Sequence, residues 1–122
     1  MGKRILIAED EHHLAESLTF ILEREGYDVT TALDGEAAMR TLFSAAPDLL
    51  ILDVMLPKIN GFDLLKTIRA DDDLKSLRVI ILTAKGQRQD REIAKAIGAN
   101  LFLTKPFSNK DIVKAVGDLM AG

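Results

Sequence analysis

The chain has 122 residues, 48% of them hydrophobic and 29% charged, with a net charge of −3. That is one ordinary domain, able to bury roughly two-thirds of its unfolded surface, and the balance carries no signature of disorder. There is no cysteine, which excludes disulfides and thiolate metal sites, and there is no basic excess to suggest nucleic acid or an anionic membrane as a direct partner.

The start, Met-Gly-Lys-Arg, runs into a short apolar stretch, Ile5 to Ala8, with acids directly behind it. It is too short for a signal peptide or a membrane span and reads as a first strand. The absence of cysteine suits a cytoplasmic protein. A helical stripe follows at Leu14, Leu18, Ile21 and Leu22, closed by Gly26. Val29 to Ala32 reads as a second strand. Asp34-Gly35 then opens a helix with Ala37, Ala38, Leu42 and Phe43 on one face, and Pro47 follows it. Leu49 to Leu52 is a third strand, and Phe62, Leu65 and Ile68 mark the third helix. Val79 to Leu82 is a fourth strand. Ile93, Ala96 and Ile97 give the fourth helix, with Gly98 after it. Leu101 to Leu103 is the last strand. Ser108 is the N-cap candidate for a last helix carrying Ile112, Ala115, Val116 and Leu119.

A strand-helix unit is thus repeated five times. Near-continuous Ile, Val and Leu runs fit strands buried on both faces of a parallel sheet. The alternation predicts an α/β fold with right-handed crossovers, flavodoxin-like (βα)5, strand order 2-1-3-4-5 and helices on both faces.

Ligands in such sheets bind outside the carboxyl ends of the strands, where the strand order reverses, here between the first and third strands. Strand one ends at Glu9-Asp10, with Glu11 next; strand three ends at Asp53, strand four at Thr83 and strand five at Thr104-Lys105-Pro106. Carboxylates, a hydroxyl and an ammonium therefore converge on one rim. Crowded carboxylates repel unless a cation joins them, and an all-oxygen set suits Mg²⁺ or Mn²⁺ rather than Zn²⁺. A metal and Lys105 flanking one carboxylate make a pocket for a phosphoryl group, with that carboxylate as nucleophile.

Singly, these residues say little. Acids at a helix start suit the helix dipole, an Asp after a strand is often a turn former, and a Thr often ends a strand or caps a helix. His12 and His13 read as exposed residues of the first helical turn, Asp71-Asp72-Asp73 as a solvated loop, and Phe102 as a core aromatic. What is informative is their joint placement, in the right order around one crevice.

The pattern resembles the response-regulator receiver domains of two-component signalling, over essentially the whole chain. The sharpest stretches are Leu49-Leu-Ile-Leu-Asp-Val-Met-Leu-Pro-Lys-Ile-Asn-Gly61, Leu82-Thr-Ala84 and Leu103-Thr-Lys-Pro-Phe107. The resemblance implies a phosphorylation-switched signalling domain whose only chemistry is its own phosphorylation and dephosphorylation. Asp53 resembles the phosphoacceptor, served by a histidine kinase or a phosphotransfer protein. Asp10 looks like a direct Mg²⁺ ligand beside Asp53, with Met55 giving its backbone carbonyl and Glu9 acting through a water. Thr83 and Lys105 would each hold a phosphoryl oxygen. Phe102 is similar to the switch aromatic that follows Thr83. Met55 and Lys85 flank the pocket in the family pattern and would tune the lifetime of the phosphorylated state. The face of the fourth helix, fifth strand and fifth helix would meet a downstream partner or output domain. Glu9 stands where Asp is commoner, and Phe102 where Tyr is also frequent. The expectation is one receiver domain over residues 1–122, with no output domain in the chain.

Other readings fit less well. An aspartyl-phosphate phosphatase of the haloacid-dehalogenase type wants a carboxylate two residues after the nucleophile, where Met55 stands. A flavodoxin-like binding module wants Gly, Ser and Thr after strand one, where the chain reads Glu-Asp-Glu-His-His. A receiver that binds partners without phosphorylation would not need the full set of polar groups.

Overall fold

A computed structural model of the protein describes residues 3–84 and 88–121. In chain order the elements are β1 (Arg4–Ala8), α1 (His12–Arg24), β2 (Asp28–Ala32), α2 (Gly35–Ser44), β3 (Leu49–Asp53), α3 (Gly61–Ala70), β4 (Arg78–Thr83), α4 (Arg88–Ile97), β5 (Leu101–Thr104) and α5 (Asn109–Met120). The five strands form one parallel sheet of order β2-β1-β3-β4-β5. This is the expected order. Among the described residues no helix is long and apolar enough to cross a membrane.

The side-chain period of two along a strand divides the core into two layers. Leu6, Leu50, Leu52, Val79 and Ile81 point to one face, where they meet Ala38 and Leu42 of α2, Leu64, Leu65 and Ile68 of α3, and Ala94 of α4. Ile5, Ile7, Leu49, Ile51, Ile80 and Leu82 point to the other, against Leu18 and Leu22 of α1 and Ile112, Ala115, Val116 and Met120 of α5. All five residues of β3 are buried, so the strand that ends in Asp53 is packed from both sides. It is anchored firmly because it sits at the centre of the sheet.

The helix ends follow the sequence signals. Asp34 caps α2 by accepting from the Ala37 N–H, and Ser108 forms a reciprocal capping box with Asp111. Gly26 and Gly98 follow α1 and α4 at φ of +93° and +116°, the left-handed region that favours glycine.

Two helical stripes differ from the expected ones. Phe43 is 55% exposed; α2 is held by Ala38 and Leu42, with Met39 partly covered. In α4 the fully buried residue is Ala94, while Ile93 is 41% exposed and Ala96 lies outside. The covered line runs through Asp90, Ala94 and Ile97, one residue round the helix from the expected line. A period of 3.6 fixes the existence of a stripe; which side faces the sheet is set by close approach, and a small Ala permits it.

At the rim opposite the strands' carboxyl ends, Arg69 at the end of α3 ties neighbouring connections together. Two connections are involved, α3–β4 and α4–β5: its guanidinium donates to the carbonyls of Gly98 (2.9 Å), Lys75 (3.0 Å) and Leu77 (2.7 Å), and to Asn100 Oδ1 (3.0 Å). Burial lowers its pKa from the usual value, and the fixed fork of donors suits this many acceptors at once.

Candidate functional site

β1 and β3 are hydrogen-bonded neighbours, so their carboxyl ends lie side by side. The chain leaves β1 through Glu9 and Asp10, and Glu11 then caps α1, accepting from the His13 and Leu14 N–H groups at 3.0 and 2.9 Å. The ordinary role of an acid at a helix start is therefore filled by Glu11. Glu9 and Asp10 are left to the crevice. Glu9 is fully buried and Asp53 is 4% exposed, whereas Asp10 is open to solvent. One carboxylate oxygen from each of the three lies within 4.8 Å of the others.

Lys105 enters from β5. Its ammonium sits 2.9 Å from Glu9 Oε1 and 3.5 Å from Asp53 Oδ1, so it bridges the two buried acids. The peptide bond between Lys105 and Pro106 is cis. The Lys105 N–H donates to the Thr83 carbonyl at 2.7 Å, which ties the ends of β4 and β5 together. Asp53 Oδ1 also accepts from the Met55 N–H at 3.3 Å, while the Met55 side chain is 72% exposed at the mouth of the crevice. Glu9 Oε2 accepts from the Glu11 N–H at 3.0 Å.

The electrostatics follow from burial. Loss of water pushes the Glu9 carboxyl above its ordinary value, and the nearby negative charge of Asp53 adds to this; the Glu11 N–H and Lys105 oppose it without cancelling it. Burial alone would lower Lys105. The hydrogen bond to Glu9 and the charges of Asp53 and Glu9 outweigh that, so the ammonium is held above its usual value. Both folded values exceed the unfolded ones. Glu9 therefore favours the fold in acid, and that contribution is lost as pH rises through its folded value. Lys105 contributes fully at neutral pH and loses its share only in strong alkali, past its own folded value.

Thr83 is buried at the end of β4. Its hydroxyl leans toward β5, 3.5 Å from the Leu103 carbonyl and 3.4 Å from Thr104 Oγ1, both long for hydroxyl hydrogen bonds. Phe102 lies on the same sheet face as Thr83, partly buried against the layer of α2, α3 and α4.

The donor set fits a hard divalent cation. It is all oxygen, carries more acid than Lys105 can neutralise, and one of its acids, Asp10, faces water and leaves a path for entry. Among the described residues it is carboxylates that line the crevice after β1, and the Glu11 N–H there is taken by Glu9.

Most of the expected site residues meet here: Glu9, Asp10, Asp53, Thr83 and Lys105 share one rim, with Met55 at its edge. His12 and His13 are exposed on α1, and Asp71 turns its carboxylate to the N–H groups of Asp73 and Leu74 in the loop after α3. Lys85 lies outside the described residues. The direct contact of Lys105 with Glu9 is not legible in the sequence. A lysine after a fifth strand and an acid after the first carry no mark of contact in the chain, although β-order 2-1-3-4-5 alone brings their ends within one crevice.

The family model of the response regulator receiver domain matches residues 5–117. The chain belongs to that family. As a receiver domain it is 40% identical over 119 residues to the alkaline phosphatase synthesis transcriptional regulatory protein PhoP of Bacillus subtilis, covering 95% of this chain and 49% of that protein. The receiver thus spans about half the length of the curated relatives it matches. Among solved structures it superimposes on the signal receiver domain of a signal transduction histidine kinase from Syntrophus aciditrophicus with a TM-score of 0.92 and 35% identity, covering 99% of this chain and 92% of that one. It also matches the receiver domain of the sensor histidine kinase PA1611 from Pseudomonas aeruginosa, at a TM-score of 0.91, 29% identity and full coverage of both chains. That structure holds a magnesium ion in its active-site cleft. The receiver described here is accordingly a signalling domain of the response regulator receiver family.

Proposed function

We propose that Asp53 is the phosphoacceptor of this receiver and that it works with a bound Mg²⁺. The observation that carries this is the meeting of the Glu9, Asp10 and Asp53 carboxylates within 4.8 Å, with the Lys105 ammonium 3.5 Å from Asp53. Asp10, Asp53 and the Met55 backbone carbonyl would hold the ion directly, with Glu9 acting through a water. Mn²⁺ offers the same coordination chemistry. When bound, the ion neutralises the acids and draws negative charge off the incoming phosphoryl group.

An Asp53 carboxylate oxygen attacks the phosphorus of a phosphohistidine. The P–N bond breaks, and its electron pair returns to the imidazole, which takes up a proton. The Met55 N–H, which donates to Asp53 Oδ1, keeps the nucleophile oriented. Lys105, already paired to Asp53, swings its charge to a phosphoryl oxygen. Thr83 leaves its two long contacts with β5 to bond another. Phe102, on the same face, turns inward behind it. Phosphorylation adds charge that one arrangement of these groups satisfies, and the populations shift accordingly. The domain performs no other chemistry than its own phosphorylation and dephosphorylation, and Met55, at the mouth of the crevice, tunes the lifetime.

The phosphoryl donor is a sensor histidine kinase or a phosphotransfer protein. The downstream partner, a separate protein or an output domain, reads the α4–β5–α5 face. This reading treats residues 1–122 as one receiver domain in the cytoplasm, with no direct contact to nucleic acid or membrane.

The test is intact mass after incubation with acetyl phosphate. With Mg²⁺ the protein gains one phosphoryl group; with the divalent ion chelated the gain disappears. An unchanged mass in Mg²⁺, or an equal gain without it, contradicts the proposal.

A further inference from the structure

We propose that Arg91 is a latch on the switch: its guanidinium, stacked on the Phe102 ring, holds the ring in the half-buried place it takes beside α4 and so weakens the site's apparent hold on phosphoryl-like anions. The inference rests on the reading of Asp53, Thr83 and Phe102 given above and adds a residue that governs it from outside the crevice.

The guanidinium carbon of Arg91 lies 4.6 Å from the centroid of the Phe102 ring. That is well inside the range where a cation is attracted by the ring's negative face. Arg91 is exposed, on the outer part of α4. Among the described residues no carboxylate lies within ion-pair distance of it, so the ring is the partner it has. A second pair, Arg24 over Phe20 at 5.6 Å, lies within α1 and joins nothing. The Arg91 contact differs in that it bridges two elements, α4 and β5, at the aromatic residue of the switch.

The geometry makes the contact conditional. Ile81 pairs with Phe102 and Thr83 with Thr104, so Thr83 and Phe102 lie on one face of adjacent strands, two residues apart in register. In the conformation described, the Thr83 hydroxyl leans toward β5 and the ring lies under Arg91. A ring that follows Thr83 inward leaves the guanidinium. The contact therefore exists in one state and not in the other, which is the requirement for shifting a two-state equilibrium. Where the competent state is a minor one, apparent affinity scales with its population. A partly exposed contact of this kind corresponds to a shift of about two- to five-fold.

Arg91 touches neither Asp53 nor Lys105 in this scheme; it is a positioning residue. Beryllofluoride with Mg²⁺ is the probe, titrated into the full chain and followed by amide NMR. Arg91→Gln is expected to tighten apparent beryllofluoride binding about two- to five-fold. Arg91→Lys, which keeps a cation over the ring, stays near the wild-type value. In a Phe102→Leu background the same Arg91→Gln change has no further effect, because the ring it acts through is gone. Unchanged binding in Arg91→Gln, or an equal gain without the Phe102 ring, overturns the latch. The χ1 population of Phe102 in the metal-free protein, from side-chain couplings, gives a readout independent of anion binding. It shifts toward the inner rotamer in Arg91→Gln if the latch exists and stays put if it does not. Failure of wild-type protein to bind beryllofluoride would count against the proposed function, and the rotamer population would still decide on Arg91.

Discussion

Asp53→Asn is expected to take up no detectable phosphoryl group from acetyl phosphate in Mg²⁺, under conditions where the parent protein is labelled. The reason is chemical. An amide oxygen is a far poorer nucleophile than a carboxylate oxygen, and the amide brings no charge for a divalent ion to bridge. The substitution is nearly isosteric. Its oxygen can still accept the Met55 N–H that now reaches Asp53 at 3.3 Å, and Lys105 keeps Glu9 at 2.9 Å. The fold should therefore survive: removing one acid from a cluster spanning 4.8 Å relieves repulsion in the metal-free protein. Thermal unfolding followed by circular dichroism checks this, with a midpoint at or above that of the parent. Undiminished labelling of an intact Asp53→Asn protein would contradict the assignment of the nucleophile.

Gly61→Ala is expected to be the most damaging single methyl in the molecule's working rim. A Cβ there would stand 2.6 Å from the Asp53 carbonyl oxygen and 2.8 Å from Val54 Cα, and both are backbone atoms. Neither can swing aside as a side-chain tip could. The Gly61 N–H also donates to the Val54 carbonyl at 2.9 Å, so the loop cannot open without losing that bond. Overpacking of this kind costs about 3 kcal/mol. The better helix propensity of Ala at the first residue of α3 returns at most about 1 kcal/mol. A net loss of about 2 kcal/mol should lower the melting midpoint by about 6–8 °C for a domain of this size. One of the displaced atoms is the backbone carbonyl oxygen of Asp53, so the carboxylate it carries shifts too and the rate of labelling by acetyl phosphate should fall as well. Gly117 supplies the contrast. It sits inside α5, where an added Cβ would meet nothing within 4 Å, and Gly117→Ala should stabilise the fold by about 0.5–1 kcal/mol. Equal melting shifts for the two alanines would show that the close approach at Gly61 is not what matters.

These two glycines also show where the sequence is legible and where it is not. Strand ends can be read because β3 and β4 are uninterrupted apolar runs, Leu49–Leu52 and Val79–Leu82, stopped by a polar residue that the topology rule then sends to the switch point. That logic places Glu9, Asp10, Asp53, Thr83 and Lys105 on one rim, and they lie there. Contacts between loops leave no periodic trace. Gly61 opens α3 after Asn60, and its lack of a side chain is demanded by the backbone of Asp53 passing alongside. Gly35 is the same case: a Cβ there would collide with the Ile59 carbonyl, a residue from a different loop.

The rotation of α4 is illegible for a related reason. Ile93 looks like the anchor by hydropathy, but Ala94 is the residue small enough to let the helix settle on the sheet, and Ile93 keeps part of its side chain in solvent. That rotation is what sets Arg91 above Phe102. The hydroxyl direction of Thr83 is likewise a rotamer choice, set by weak contacts to Leu103 and Thr104 that no spacing encodes.

The acyl phosphate can be trapped where it forms. Borohydride reduces an aspartyl phosphate to homoserine and leaves free carboxylates intact, so peptide sequencing after labelling in Mg²⁺ reports the residue that carried the phosphoryl group. Homoserine is expected at position 53 and nowhere else. Homoserine at position 10, or a phosphoryl group retained on His12 or His13, would contradict the assignment of Asp53 as the acceptor.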